Sequence, residues 1–175
     1  HHLGEVTYFS PLADTSLPDA GFVYLPGGYP ELYLAALSAN RPMLQSIRRY
    51  VENGGKLLAE CGGMMYLCDE IRDKNGDVYP MAGVLHQSAT MENMKLRLGY
   101  RTLLYNDARL KGHEFHYSRL VEQQDPLPSC AVAYTAKGVE TDTPLYHYKN
   151  VWAGYTHLYW ADPAGNDWFT KFIIK

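Results

Sequence analysis

A cysteine followed by two glycines, Cys61-Gly62-Gly63, is the stretch of this sequence best suited to chemistry. It follows a short apolar run at residues 56–59 and precedes an apolar segment of helical character. A thiol at the start of a helix ionises readily, because the free amide N–H groups and the helix dipole favour negative charge. The position between strand and helix favours a nucleophile, with glycine N–H groups facing an oxyanion. The alternative is a small buried core cysteine, which is how most free cysteines behave.

A second glycine turn, Gly27-Gly28, ends the apolar run of residues 20–25. Backbone N–H groups exposed at such a turn can bind an anion or an oxyanion, although on its own an ordinary turn is the favoured interpretation. The sequence lacks the patterns that cradle phosphates, Gly-x-Gly-x-x-Gly and the Gly-Lys-Ser/Thr ending. Sites in parallel sheets lie beyond the carboxyl ends of the strands, so we expect Gly28 and Cys61 to face one another.

A cysteine nucleophile needs a base that the fold holds nearby. His157 lies within an apolar stretch at residues 151–160, far downstream of the cysteine, and fits this role. A lone histidine is more often structural, so this assignment depends on the resemblance described below. Two further histidines stand at residues 112–118, in Gly-His-Glu-Phe-His-Tyr-Ser. On a strand, His113 and His116 would point to opposite faces and could not share a metal ion, so we expect no metal site.

The elements that must position these residues alternate between strand and helix in the first third of the chain. Short links between them predict an α/β fold with a mainly parallel central sheet flanked by helices, and with additional antiparallel strands. We predict strands at residues 5–10, 20–25, 56–60, 81–85, 96–104, 112–118, 129–135, 144–148 and 151–160. We predict helices at residues 31–40, 42–53, after Cys61 and at 167–175, a turn at 74–77 and a surface loop at 87–95.

Composition restricts the class of protein. The 175 residues are enough for one domain with a sizeable core, and we expect a single domain over residues 1–175. A net charge of −3 gives no electrostatic support to a nucleic-acid or membrane partner. Cys61, Cys68 and Cys130 lack metal-type spacing and cannot all pair, which favours a reducing, cytoplasmic setting.

Five segments together resemble the C-terminal glutamine amidotransferase domain of the cobyrinic acid a,c-diamide synthases, in the cobalamin-biosynthesis branch of the triad-type amidotransferases. They are residues 22–31, 59–67, 98–101, 112–118 and 154–157, in the same order and covering nearly the whole chain. The resemblance implies a class I glutamine amidotransferase-like fold. It also implies that Cys61 attacks the side-chain amide of L-glutamine, that His157 activates the thiol, and that Gly27, Gly28 and Gly62 bind substrate and oxyanion.

The resemblance further implies an N-terminal synthetase domain, which uses ATP and Mg²⁺ to amidate the a- and c-carboxylates of cobyrinate with the ammonia released. The glutaminase domain itself is expected to need no cofactor. Neither the synthetase domain nor the family's first strand and helix precede Glu5 here, so we expect an excised part of a larger chain. Many amidotransferases orient the histidine with a glutamate two positions on; here that position is Tyr159, as in the cobalamin branch, and Glu114 is our candidate instead.

Three alternatives stay open at this point. The chain could be a catalytically inactive binding module with an amidotransferase-like fold. It could serve the amidation of a related tetrapyrrole, such as nickel sirohydrochlorin. It could also be a cysteine hydrolase or a redox-type protein built on a similar sheet.

Overall fold

The computed structural model describes residues 4–174 of the chain. Its helices are a short 3₁₀ helix at Pro30–Leu32 and four α-helices: α1 Leu34–Ala39, α2 Arg41–Glu52, α3 Gly62–Leu67 and α4 Pro163–Ile174. The strands are β1 Phe22–Leu25, β2 Lys56–Glu60, β3 Glu70–Arg72, β4 Val78–Pro80, β5 Ser88–Thr90, β6 Arg97–Tyr105, β7 Ala108–His116, β8 Arg119–Leu120, β9 Val132–Thr135, β10 Glu140–Thr141, β11 Leu145–Tyr148, β12 Val151–Gly154 and β13 His157–Leu158. The predicted α/β class is confirmed.

The first sheet has the order β1-β2-β12-β11, with β2 parallel to both of its neighbours and β11 antiparallel to β12. One face packs on α2, whose buried side chains recur at helical spacing: Met43, Leu44, Ile47 and Val51. The other face carries Phe22 and Trp152, which contact aromatic side chains of α4. Helices therefore cover both faces, as the continuous apolar strands predicted.

The second sheet has the order β10-β9-β6-β7-β13 and is antiparallel, built on the nine-residue strands β6 and β7. Burial alternates along β7, which confirms that His113 and His116 point to opposite faces. Glu114 and His116 lie inside, while His113 and Phe115 lie outside. The predicted single strand at residues 151–160 is wrong in one respect: it divides into β12 and β13, which belong to different sheets. This division carries His157 from the end of the first sheet to the edge of the second.

The third sheet, β4-β3-β5-β8, contains the main errors of the sequence-based prediction. The stretch at residues 87–95, predicted as a surface loop, contains β5, and residues 87–91 are buried. The polar side chains of this stretch suggested a solvent-exposed loop. They are buried because the backbone of β5 pairs on both sides, with β3 and with β8. Residues 81–85 are buried but do not form the predicted strand, and residues 5–10 are also irregular.

Two predicted helices differ in their limits. The helix expected at residues 31–40 divides at Tyr33 into the 3₁₀ helix and α1, and the C-terminal helix starts earlier than predicted, at Pro163. The predicted turn at residues 74–77 joins β3 and β4. None of the helices described between residues 4 and 174 is long and apolar enough to cross a membrane.

Candidate active site

Cys61 lies at the sharp turn between β2 and α3, as the N-cap residue of that helix. Its φ of 50° and ψ of −112° are values that a residue with a side chain rarely adopts, at a cost of about 1–3 kcal/mol. The turn is held because the Cys61 N–H donates to the Gly154 carbonyl at 2.8 Å, and its carbonyl accepts from Met65 at 3.0 Å. A strained strand-to-helix turn of this kind presents one side chain at the end of a sheet.

The two glycine turns are in contact with each other. A Cβ atom on Gly62 would stand 2.7 Å from Cδ of Pro30, and one on Gly63 would run into the Leu25 carbonyl. A Cβ on Gly27 would stand 2.8 Å from Cε1 of His157 and 3.7 Å from Cβ of Cys61. The predicted approach of the turn at residues 27–28 to the cysteine turn is therefore present, and its closeness requires glycine.

Backbone donors are available beside the thiol. Within residues 4–174, the N–H of Gly28 donates to no protein acceptor, and a Cβ at that position would meet no atom within 4 Å. The N–H of Gly62 belongs to the first turn of α3, where N–H groups have no partner inside the helix. Unpaired backbone N–H groups beside a nucleophile are the kind of donor that can stabilise an oxyanion.

The imidazole of His157 lies between the side chains of Cys61 and Glu60, with Nδ1 3.5 Å from Oε2 of Glu60. Interactions with these two side chains, that with Cys61 first, raise the pKa of His157 to about 10, although burial acts in the opposite direction. The ring also stacks on His113, with centroids 5.2 Å apart. An imidazole beside a cysteine at a strained turn is the arrangement in which a base can activate a thiol nucleophile.

Glu60, the last residue of β2, is a buried carboxylate that the sequence-based reasoning missed. Its Oε2 accepts from the Tyr24 hydroxyl at 2.7 Å and lies 3.5 Å from Nδ1 of His157. Its Oε1 accepts from the backbone N–H of Leu158 at 3.1 Å. The available signal was a carboxylate placed at the end of an apolar strand, directly before the nucleophile candidate.

Glu114, our sequence-based candidate for orienting His157, is not brought to that residue. Its Oε2 lies 2.8 Å from the guanidinium of Arg101, and its Oε1 accepts from the Thr156 hydroxyl at 3.3 Å. The reason is the alternation of β7: His113 stacks on His157, so the next side chain, Glu114, points to the opposite face of the strand.

A narrow cleft opens beside the thiol and is lined by Gly28, Tyr29, Glu31, Cys61, Met65, Phe115, His116, Tyr117 and Ser118. The Phe115 carbonyl lies 4.0 Å from Sγ of Cys61. A larger apolar cavity, of about 240 Å³, lies on the other side of the Gly27-Gly28 turn and is lined by neither Cys61 nor His157. Residues 4–174 contain no group of three or more His, Cys, Asp or Glu side chains that could hold a metal ion.

Comparison with known proteins gives a consistent picture. The model of the CobB/CobQ-like glutamine amidotransferase domain matches residues 1–165. The hydrogenobyrinate a,c-diamide synthase of Pseudomonas aeruginosa is 38% identical over 160 residues, covering 89% of this chain and 35% of that protein. The cobyrinate a,c-diamide synthases of Fusobacterium nucleatum and Salmonella typhimurium are 40% and 35% identical, over 89% of this chain and 35% and 36% of their own lengths. The chain thus spans about a third of these curated relatives.

Proposed function

Because the chain belongs to the family of CobB/CobQ-like glutamine amidotransferase domains, we propose that it hydrolyses L-glutamine to glutamate and ammonia through a thioester on Cys61. The observation that carries this proposal is the convergence of a thiol at a strained turn, an imidazole beside it with a raised pKa, and unpaired backbone donors. Each of these groups has a separate role in acyl transfer from an amide.

In the proposed reaction, the Cys61 thiolate attacks the side-chain amide carbon of glutamine, and the N–H groups of Gly28 and Gly62 bind the oxyanion. When the tetrahedral species collapses, the C–N bond breaks and the imidazolium of His157 gives its proton to the leaving nitrogen, so ammonia departs. Water then attacks the thioester and gives a proton to His157. Cleavage of the C–S bond releases glutamate and restores the thiolate–imidazolium pair. The sum is glutamine plus water to glutamate plus ammonia.

Glu31 is the side chain of the cleft that suits the α-ammonium group of glutamine. Its carboxylate is partly buried beside Cys61 and has no ion-pair partner within residues 4–174. Burial raises its pKa above the ordinary value, with an opposing contribution from its own backbone N–H. A cationic ligand would relieve that cost of burial, so we assign recognition of the amino-acid head group to Glu31.

We further propose that the ammonia serves a synthetase portion of the same protein, which would amidate the a- and c-carboxylates of cobyrinate with ATP and Mg²⁺. The names of the relatives, which act on cobyrinate or hydrogenobyrinate, support this substrate class. So does the length of those relatives, of which this chain matches about a third. The free thiols suit a reducing compartment, and we propose that the protein acts in the cytoplasm.

The proposal is tested with the full-length protein, given either glutamine or ammonium chloride as the nitrogen source. We expect Cys61→Ala to abolish glutamate release and glutamine-dependent amidation while ammonia-dependent amidation continues. Cys130→Ala, which removes a thiol outside the site, is the matched control and should keep both activities. Glutamate release by Cys61→Ala at the wild-type rate would overturn the proposal, and loss of both amidation activities would show that Cys61 does more than supply ammonia.

A further inference from the structure

We infer that Glu60, the residue directly before the nucleophile, is the carboxylate that positions His157. The glutamate that many amidotransferases place two positions after the histidine is replaced here by Tyr159. The inference rests on the proposed function, since it assigns a role within the same reaction. It makes the peptide segment of Glu60 and Cys61 responsible for both the nucleophile and the orientation of its base.

The geometry of Glu60 is fixed on three sides. The Tyr24 hydroxyl, from the neighbouring strand β1, holds Oε2 at 2.7 Å, and the backbone N–H of Leu158 holds Oε1 at 3.1 Å. Leu158 follows His157 directly, so Glu60 binds the backbone next to the histidine and also lies 3.5 Å from Nδ1 of its ring. A carboxylate held in this way has one orientation towards the imidazole.

The inferred role also gives each ring nitrogen a separate task. Nδ1 is the nitrogen that lies beside Glu60, so a proton held on Nδ1 towards that carboxylate would leave Nε2 for exchange of a proton with Cys61 and the substrate. This is the role that a buried carboxylate plays towards the histidine in other triads: it selects the tautomer and stabilises the imidazolium without taking the proton itself.

The charges that face His157 single out Glu60. Cys61 approaches the ring from the start of α3, His113 stacks on it from β7, and Glu60 reaches it from β2. Tyr24, from β1, donates a hydrogen bond to Glu60. Glu60 is therefore the carboxylate in this group, and at 3% exposure solvent screens it little.

Neither of the other two candidates can do the same. Glu114 has the guanidinium of Arg101 as its partner, on the far face of β7. Tyr159 is 59% exposed, and its backbone N–H, not its side chain, is used in pairing with Lys111.

The test compares Glu60→Gln with Glu114→Gln in the full-length protein, measuring glutamine hydrolysis from pH 6 to pH 11. Glutamine is isosteric with glutamate: its amide oxygen can accept from the Leu158 N–H while its NH2 group donates to the Tyr24 hydroxyl oxygen, so the fold should survive. Thermal melting of each variant verifies this. We expect Glu60→Gln to lower kcat at least about 10-fold with little change in KM. We also expect it to move the basic limb of the kcat/KM profile to lower pH by about 1–3 pH units, because the imidazolium loses an adjacent anion. Glu60→Asp should restore part of the rate.

Glu114→Gln should instead lower the melting temperature, since it leaves Arg101 buried without its counter-charge, and should keep the basic limb in place. An unchanged limb in a folded Glu60→Gln, or a shift found with Glu114→Gln alone, would overturn the inference. Failure of the proposed function is distinguishable, because the wild-type protein would then release no glutamate or Cys61→Ala would release it equally well.

Discussion

A Cβ atom on Gly62 would stand 2.5 Å from the carbonyl oxygen of Gly28, so the two glycine turns of the site meet through their backbones. This contact fixes the distance between the donor at Gly28 and the thiol of Cys61, which shares its turn with Gly62. The geometry of the proposed oxyanion site is therefore set by main-chain packing, and side-chain rearrangement cannot easily restore it after a substitution.

Gly62→Ala is expected to lower both activity and stability. The added methyl group meets backbone and a proline ring, neither of which can turn aside, so we expect a loss of about 1–3 kcal/mol in the free energy of unfolding. Chemical denaturation measures it. Gly21→Ala is the matched control, because that position is exposed with no atom within 4 Å of the added Cβ and should be neutral or slightly stabilising. Equal stability of the two variants would contradict the proposed close contact.

Backbone strain at Cys61 gives a second prediction. Glycine adopts a φ of 50° with ψ of −112° more readily than a residue with a Cβ, so Cys61→Gly should be more stable than Cys61→Ala, by about 1 kcal/mol. Both variants should be inactive with glutamine, which separates strain from catalysis. The comparison is made by thermal or urea unfolding; greater stability of the alanine variant would show that the turn relaxes without cost.

The part of this site that the sequence predicted is the part encoded locally. A strand, a cysteine and two glycines in succession indicate the sharp turn at Cys61, since the conformation of such a turn depends on residues adjacent in sequence. The approach of the Gly27-Gly28 turn follows from the general position of sites in parallel sheets. His157 was assigned through family resemblance, because no local pattern shows that the chain leaves one sheet at Gly154 and joins another at His157.

Glu60 was missed for a related reason. A charged residue at the end of a strand is usually solvated, and its burial here depends on three groups distant in sequence, Tyr24, His157 and Leu158. The choice of Glu114 failed because the alternation of β7 was predicted correctly but the stacking of His113 on His157 was not. Once that contact is known, the alternation of the strand predicts that Glu114 points away from His157.

The raised pKa of His157 predicts a pH-dependent stability. The folded value of about 10 lies above the ordinary 6.5, so the folded state binds more protons than the unfolded state between these values. The contribution is fully present below about pH 6.5 and is lost as the pH rises through about 10. Urea unfolding of the wild type and of His157→Gln across this range should give a difference that shrinks with rising pH. A constant difference would show that His157 is not protonated in the folded protein.

Selective labelling distinguishes the three thiols. Burial raises the pKa of Cys130 to about 11, and raises that of the fully buried Cys68 further. We therefore expect a chloroketone analogue of glutamine to alkylate Cys61 stoichiometrically and the other two slowly, as read by peptide mass spectrometry. Excess glutamine should slow the alkylation of Cys61, and the same concentration of glutamate should slow it less. Equal labelling of Cys61 and Cys130 would favour non-specific thiol chemistry. The same conclusion would follow if peroxide or an ester, and not glutamine, protected Cys61 from alkylation.

Glu31 should determine affinity for the amino-acid head group. Glu31→Gln removes the anion that we assign to the α-ammonium, so KM for glutamine should rise about 10-fold or more with kcat changed little. The discriminating substrate is glutaramic acid, the same amide without the α-amino group: the wild type and Glu31→Gln should hydrolyse it with equal kcat/KM. Glu122→Gln, on a loop outside the cleft, controls for the general loss of one negative charge. A Glu31→Gln defect of the same size with both substrates would mean that Glu31 supports the fold of the turn and does not bind the ammonium group.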